Sequence, residues 1–291
     1  MTLDTLYIIC RWIHFSALML FTGSAFYCAL LAPLRYQPVL NRRLLPLLQG
    51  CAALTLLSAL LMLAAQTGLM SGDWRNIARI KIWWAVLDTG FGQAWRLQLL
   101  AATLAVASFA IDHRLRQHLL LSCGIIQLCG LALVGHAAML DGWPGAAQRI
   151  SQAIHLTGAA FWAGGLLPLL CVMRDSSLPA LHSDAIRTMM RFSRYGHLAV
   201  ALTALSGIIN SALIVGWPWP ADNAYRFLLL IKIGLVALMV AIALFNRYWL
   251  VPRFSQPFSP APRWFVRATQ LELLIAALVV VAVSTFATFQ P

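Results

Sequence analysis

Long apolar segments restrict the fold of this chain more than any other feature. A run of about 20 apolar residues is the length that crosses the hydrocarbon core of a bilayer as a helix, whereas a membrane β-strand alternates apolar and polar residues over about ten. The chain is 61% hydrophobic and 10% charged, unlike a soluble domain. We therefore predict an all-α integral membrane protein with about eight transmembrane helices. The predicted spans are 5–32, 44–70, 93–111, 117–140, 148–173, 194–216, 224–250 and 266–288.

The basic residues between the spans predict the orientation. Short connections on the cytoplasmic side of a membrane protein are enriched in Lys and Arg. The connections after spans one, three, five and seven hold most of the arginines, so both termini are predicted to be periplasmic. The net charge of +12 is then explained by the arginines that lie on the cytoplasmic side of the membrane. We therefore expect the lipid bilayer, and not nucleic acid, as the partner of the protein. These arginines are Arg35, Arg42, Arg43, Arg114, Arg116, Arg174, Arg187, Arg191, Arg194, Arg247, Arg253, Arg263 and Arg267.

The domain organisation is predicted to be simple. The first apolar run lacks a basic segment before it and a small-residue cleavage site after it, so we interpret it as a span and not as a removable signal. The segment 141–145, Asp-Gly-Trp-Pro-Gly, is typical of a turn and predicts a tight hairpin between spans four and five. No internal repeat is evident, and residues 1–291 are treated as one polytopic domain.

Three histidines lie inside these apolar segments. Ionisable residues are costly within a bilayer and are by default functional candidates. At 1.5 Å per residue, His136 and His155 are expected within roughly 6–10 Å of the outer ends of their helices, and His14 lies roughly ten residues into span one. The sequence therefore predicts that His14, His136 and His155 converge in the outer half of the membrane as a metal or haem site. The structural alternative is that each is only hydrogen-bonded across helices.

Sulfur-containing side chains accompany two of these histidines. Met139 follows His136 by three residues and Cys10 precedes His14 by four, so each pair would share a helix face. Imidazole together with sulfur suits copper, whereas no cluster of Asp or Glu supports a hard cation. None of the six cysteines forms a C-x-x-C pair, which argues against a zinc ribbon or a disulfide framework. For Met139 and Cys10, simple packing is the alternative.

Four further polar residues are predicted within spans. His197 and Glu272 are expected near the inner side, and Asn210 and Lys232 nearer the outer side. A buried carboxylate needs a partner, and His197 or Arg194 is expected to supply one for Glu272. The four residues are interpreted either as a transport pathway or as polar bonds between helices.

A family resemblance is carried by motifs distributed along most of the chain. In their order and spacing they resemble the copper-resistance protein D (CopD/PcoD) family of bacterial inner-membrane proteins, in particular its single-domain members, with 185–288 as the most family-typical part. The resemblance implies copper homeostasis or copper resistance, with a separate periplasmic copper-binding protein of the CopC type as partner. The motifs are Arg-Trp-Ile-His-Phe at 11–15, Val-Gly-His at 134–136, Ala-Ile-His-Leu at 153–156, Phe-Trp-Ala-Gly-Gly-Leu at 161–166, Met-Arg-Phe-Ser at 190–193, Leu-Ser-Gly at 205–207, Leu-Leu-Ile-Lys at 229–232, Asn-Arg at 246–247 and Leu-Glu-Leu at 271–273.

Three functions follow as hypotheses. The first is a copper-binding transporter, passive or gradient-coupled because no G-x-x-x-x-G-K-[ST] motif is present. The second is a redox protein that holds a b-type haem through two of His14, His136 and His155 and could act on copper. The third is a scaffold for copper-enzyme assembly. No catalytic residues are predicted, and a transporter or metal-binding protein is favoured over an enzyme.

Overall fold

The fold is helical throughout the part of the chain that the structure describes. A computed structural model describes residues 2–111, 113–135, 139–215, 224–256 and 258–286. Short π-helical turns, Tyr27–Leu31 and Asn246–Leu250, continue two of the α-helices. The α-helices are α1 (Leu3–Phe26), α2 (Gln37–Ser71), α3 (Ile80–Leu87), α4 (Gly90–Ala107), α5 (His113–Leu131), α6 (Gly142–Trp162), α7 (Leu166–Asp175), α8 (His182–Val215), α9 (Ala224–Phe245) and α10 (Ala261–Phe286).

Six helical segments are long and apolar enough to cross a membrane. A shorter apolar helix, Leu115–Leu131, lies within α5. The 18-residue helix α4 coincides with the third predicted span, and at 1.5 Å per residue it is about 27 Å long. The predicted all-α membrane fold is confirmed. The six segments are Leu3–Leu31, Gln37–Ser71, Gly142–Asp175, His182–Val215, Tyr225–Arg253 and Ala261–Thr285.

The predicted turn at 141–145 is wrong. Asp141 has an extended backbone conformation, and α6 begins at the next residue, Gly142. Pro144 lies in the first turn of this helix, where a missing backbone N–H removes no intrahelical bond. Proline and glycine here mark the start of a helix instead of a loop. Because α6 begins six residues earlier than predicted, His155 lies deeper than expected, about 20 Å from the start of the helix.

Two other predicted spans differ in the structure. The fifth span is interrupted between α6 and α7, at residues 163–165, where two consecutive glycines weaken the helix. The fourth span ends at Leu131 and not near 140, and Ala132 and Leu133 continue it only as a hydrogen-bonded turn. Residue 136 therefore lies beyond the described end of α5.

The helices pack as two groups that meet along α1 and α6. The most extensively packed pairs are α1 with α2, α4 with α5, α6 with α8, and α9 with α10. Helix α1 crosses the end of α6 at Gly23 and Gly164, the latter in the interruption that follows α6. A Cβ atom on Gly23 would overlap the main chain of Gly164, and one on Gly164 would overlap the carbonyl of Met19. Glycine permits this close approach, as is common between membrane helices.

A buried acidic residue joins the two groups at one end of the bundle. Asp175, at the end of α7, is fully buried and forms an ion pair with Arg43 of α2. It also accepts a hydrogen bond of 2.5 Å from the hydroxyl of Tyr36. Tyr36 lies between the first two spans, and burial raises its pKa to about 12.

Candidate metal centre

His14 is enclosed by three helices. Its side chain is completely buried, and its Nδ1 atom lies 3.2 Å from the main-chain oxygen of Thr55 and 3.0 Å from the Oγ atom of Ser58, both on α2. The Ser58 hydroxyl donates to the main-chain oxygen of Leu54 at 2.6 Å, so it is an acceptor towards the ring. The ring therefore carries its proton on Nδ1 and donates it towards α2.

The second ring nitrogen of His14 faces α4. The side-chain amide of Gln98 approaches Nε2 to 2.9 Å and donates to its lone pair. Gln98 is itself buried, and the ring of Trp95 lies beside the imidazole at a centroid distance of 6.0 Å. The indole N–H of Trp95 donates to the main-chain oxygen of Ala59 at 2.9 Å. Both ring nitrogens thus have protein partners, so ring position is determined by α2 and α4.

His155 has the same arrangement on a different pair of helices. Its Nδ1 atom lies 2.9 Å from the main-chain oxygen of Thr203 and 3.3 Å from the Oγ atom of Ser206, both on α8. The Ser206 hydroxyl donates to the main-chain oxygen of Leu202 at 2.5 Å. The charge of Lys232, on α9, acts on this imidazole. We call the contacts that surround His14 and His155 the first and the second histidine cradle.

The predicted trio of imidazoles is only partly described. His136 lies outside the described residues. His14 contacts α2 and α4, whereas His155 contacts α8, so the two rings have no protein partner in common. Within the described ranges, no three His, Cys, Asp or Glu side chains are grouped so that they could hold a metal ion. Binding of copper or haem by the three histidines together stays a prediction.

The sulfur candidates differ in their surroundings. Met139 lies outside any helix and is 57% exposed, so the predicted shared helix face with His136 is wrong. Cys10 is buried one turn from His14 on α1, as predicted from the spacing. All six cysteines are free thiols.

Among the described residues Glu272 pairs with neither His197 nor Arg194, so the expectation of a basic partner is wrong. Asn246 donates a hydrogen bond of 3.0 Å to Oε2 of Glu272, and the side chain of Trp162 also interacts with this carboxyl group. His197 instead contacts the main-chain oxygen of Ser193 at 2.7 Å and the hydroxyl of Tyr248 at 3.2 Å.

A cavity of about 380 Å³ separates α8 from α9 and α10 beside this carboxyl group. Its lining is mainly apolar but includes His197, Asn246, Arg247 and Glu272. The Oε1 atom of Glu272 and the Oδ1 atom of Asn246 are buried and have no hydrogen-bond partner among the described residues. With a buried carboxyl group and a buried amide at its edge, this cavity is the second polar site of the bundle.

Asn210 and Lys232 occupy different positions. Asn210, on α8, donates a hydrogen bond of 2.7 Å to the side-chain oxygen of Gln152 on α6. It therefore joins the same two helices as the second cradle. Lys232 lies near His155, as described above, and is partly buried.

Sequence reasoning found the histidines but missed the residues that hold them. Thr55 and Ser58 on α2 have the same spacing as Thr203 and Ser206 on α8. A search for polar residues three apart on other apolar segments would have found both pairs. Gln98 gave no such signal, since its contact with His14 depends on the packing of α4.

Comparison with known proteins shows the family. Residues 1–146 match the family model described as "Copper resistance protein D-like, N-terminal domain", and residues 186–286 match "Copper resistance protein D". Over 281 residues the chain is 43% identical to Inner membrane protein YebZ of Escherichia coli (strain K12), covering 97% of each chain. It is 30% identical to Copper resistance protein D of Pseudomonas syringae pv. tomato over 306 residues, or 99% of this chain and 97% of that protein.

A more distant relative is Copper transport protein CutJ of Bacillus subtilis (strain 168), 27% identical over 80% of this chain and 44% of CutJ. No solved structure matches the chain. The similarity to YebZ and the six apolar spans establish a multi-pass protein of the bacterial inner membrane. The full-length matches and the two family models show that the chain belongs to the copper-resistance protein D family, with YebZ-type proteins as relatives.

Proposed function

We propose that this protein binds copper through the imidazoles of His14 and His155 and moves it across the inner membrane. The family relationship makes the protein copper-related. The observation that carries the proposal is the orientation of the two rings, each with Nδ1 directed at a main-chain carbonyl of a neighbouring helix.

This orientation favours metal binding for a chemical reason. Histidines that bind metals almost always donate their other ring N–H to a carbonyl or carboxylate, which fixes the tautomer and the ring direction. Such a contact at Nδ1 leaves the lone pair of Nε2 as the metal ligand. Neutral imidazole suits copper among the transition metals.

Gln98 controls access to the first cradle. Its amide donates to the lone pair of His14 Nε2 that a copper ion would need. Copper binding there requires the amide to turn away, and the side chain is long enough to do so by rotation about its own bonds. An amide that closes the site when copper is absent would keep a buried imidazole hydrogen-bonded.

The copper donor is proposed to be a periplasmic copper-binding protein of the CopC type. The resemblance to the copper-resistance family supports this choice, and no contact in the structure tests it. The described part of the chain consists of membrane helices and short connections, so a donor would deliver copper at the periplasmic ends of the helices.

The proposal is tested with purified full-length protein and its variant His14→Ala/His155→Ala. After loading with copper and removal of the excess, we expect the double variant to retain much less copper per protein than the wild type. In proteoliposomes, copper uptake should fall in parallel. His182→Ala is the matched control, because this histidine is exposed and its ring is hydrogen-bonded to the main-chain oxygen of Ser176, away from both cradles. If the double variant retains as much copper as the wild type, copper binding by His14 and His155 is refuted. A Soret band in protein purified from haem-replete cells would favour the haem hypothesis.

A further inference from the structure

The two histidine cradles resemble one another in sequence and in contacts. The residues Ile13-His14 of α1 correspond to Ile154-His155 of α6, and a glycine follows nine residues after each histidine, within α1 and just beyond the end of α6. The facing helices read Leu-Thr-Leu-Leu-Ser-Ala at 54–59 and Leu-Thr-Ala-Leu-Ser-Gly at 202–207. Each threonine supplies its main-chain oxygen and each serine its hydroxyl to the Nδ1 atom of the histidine. The sequence alone indicated no internal repeat, whereas these shared contacts point to a repeated unit around each histidine.

The packing of the helices is repeated in part. Helix α1 contacts the segment that follows α6 at Gly23 and Gly164, which occupy equivalent positions relative to the two histidines. In addition, α1 packs against α10 as α6 packs against α5. Over the helical residues that the structure describes, the extensive packing of α2 against α4 has no counterpart of similar extent between α8 and α9, so the resemblance is strongest at the two histidine helices and the helices that face them.

The relative direction of the two histidine helices follows from topology. Four helices, α1, α2, α4 and α5, precede α6, so α1 and α6 run in the same direction through the membrane. Repeats of this kind are related by an axis along the membrane normal. The two histidines lie 11 and 13 residues from the first residues of their helices, and hence at nearly the same depth.

We propose that the protein contains two equivalent copper sites, one in each half, and not one site shared by the histidines. This proposal rests on the function proposed above and adds the number and placement of the sites. Each site uses the Nε2 atom of its own histidine, supported by the serine and the carbonyl of the facing helix. The two ions lie side by side at one depth instead of one behind the other.

Copper stoichiometry tests the proposal directly. The full-length wild-type protein, His14→Ala, His155→Ala and the double variant are purified, saturated with copper, freed from excess and analysed for metal per chain. We expect two ions in the wild type, one in each single variant and none in the double variant. Size-exclusion profiles and helical content identify variants that fail to fold, and Ser58→Ala and Ser206→Ala then serve as milder replacements that should weaken one site each.

The outcomes separate this proposal from the preceding one. Loss of all copper in either single variant would show one shared site, which overturns the duplication but leaves copper binding intact. Full retention of copper in the double variant would overturn both. As a second measurement, Gln98→Lys should weaken copper binding at the first site, because Gln98 lies 2.9 Å from Nε2 of His14. An unchanged affinity would contradict the assignment of Gln98 to the first cradle.

Discussion

Replacement of Gly23 by alanine tests the contact on which the two-half arrangement depends. A Cβ atom at this position would lie against the main-chain carbon and oxygen of Gly164 and the main-chain nitrogen of Gly165. These are backbone atoms, so no side-chain rotation can relieve the overlap. Helices α1 and α6 would have to move apart, which would loosen the junction between the first and second halves.

The size of the effect follows from two opposed contributions. Forcing an extra carbon into a close-packed contact costs about 1–3 kcal/mol, and contact with backbone on both helices favours the upper end of this range. Alanine in place of glycine within a helix offsets about 1 kcal/mol. We expect Gly23→Ala to lower the free energy of unfolding by about 2 kcal/mol, equivalent to a decrease in Tm of about 4–8 °C for a chain of roughly this size.

Thermal unfolding in a fixed detergent, followed by tryptophan fluorescence, measures this change. Gly50→Ala is the matched control, because Gly50 lies within α2 and a Cβ atom there meets nothing within 4 Å. That variant should be as stable as the wild type or more stable, by up to about 1 kcal/mol. If Gly23→Ala shifts Tm in the same direction as Gly50→Ala, the main chains of the two helical segments do not touch at this residue.

Three further outcomes are expected. Arg43→Ala leaves the buried Asp175 without its cation and should destabilise the protein by about 2 kcal/mol. Arg96→Ala removes an exposed ion pair and should change stability by less than about 0.5 kcal/mol. Equal effects of the two variants in unfolding experiments would contradict the difference in burial between the two ion pairs. Burial raises the pKa of Tyr36 to about 12, whereas a tyrosine in the unfolded chain ionises near 10.0. The contribution of this burial to stability is therefore complete below pH 10 and is lost as the pH rises towards 12. Tyr36→Phe should reduce the fall of Tm between pH 10 and 12, and an unchanged fall would be inconsistent with a buried phenol. Ser58→Ala removes a hydrogen-bond partner of the first imidazole and should weaken copper binding there by about tenfold in a competition titration, while an unchanged affinity would show that the carbonyl alone orients the ring.

The sequence predicted the spans well because their signal is long and simple. Continuous apolar residues identify a membrane helix without knowledge of its neighbours. The ends of the spans were predicted less accurately, because each end depends on a few residues that can belong either to a turn or to a helix. The segment 141–145 contains glycine and proline, which favour a turn but are also accepted at the first turn of a helix, and the structure has the helix.

The sequence predicted that the histidines lie within membrane helices, but not how their rings are directed. Counting residues from the end of a helix gives a position along the membrane normal, which for His155 depended on a helix start that was predicted six residues too late. The count does not say which face of the helix turns towards which neighbour. The contacts with α2 and α8 decided this, and they give the two rings different protein partners. The duplication escaped notice for a related reason. The histidine and the threonine are 41 residues apart in the first half and 48 in the second, so no fixed period connects the two copies.

The two halves differ in how much of their spanning helices is covered by other helices. In the most apolar stretch of each span, 61% of α1 residues and 44% of α2 residues are buried, but only 22% and 11% of those in α8 and α9. The cavity beside Glu272 lies in the second half. Trp162, which interacts with Glu272, follows His155 by seven residues along α6, a rise of about 10 Å. The second cradle and this cavity therefore adjoin the same helix about two turns apart, whereas His14 is enclosed by α2 and α4. If copper crosses the membrane through the second half, the carboxyl group of Glu272 is the next polar group that it would meet along α6.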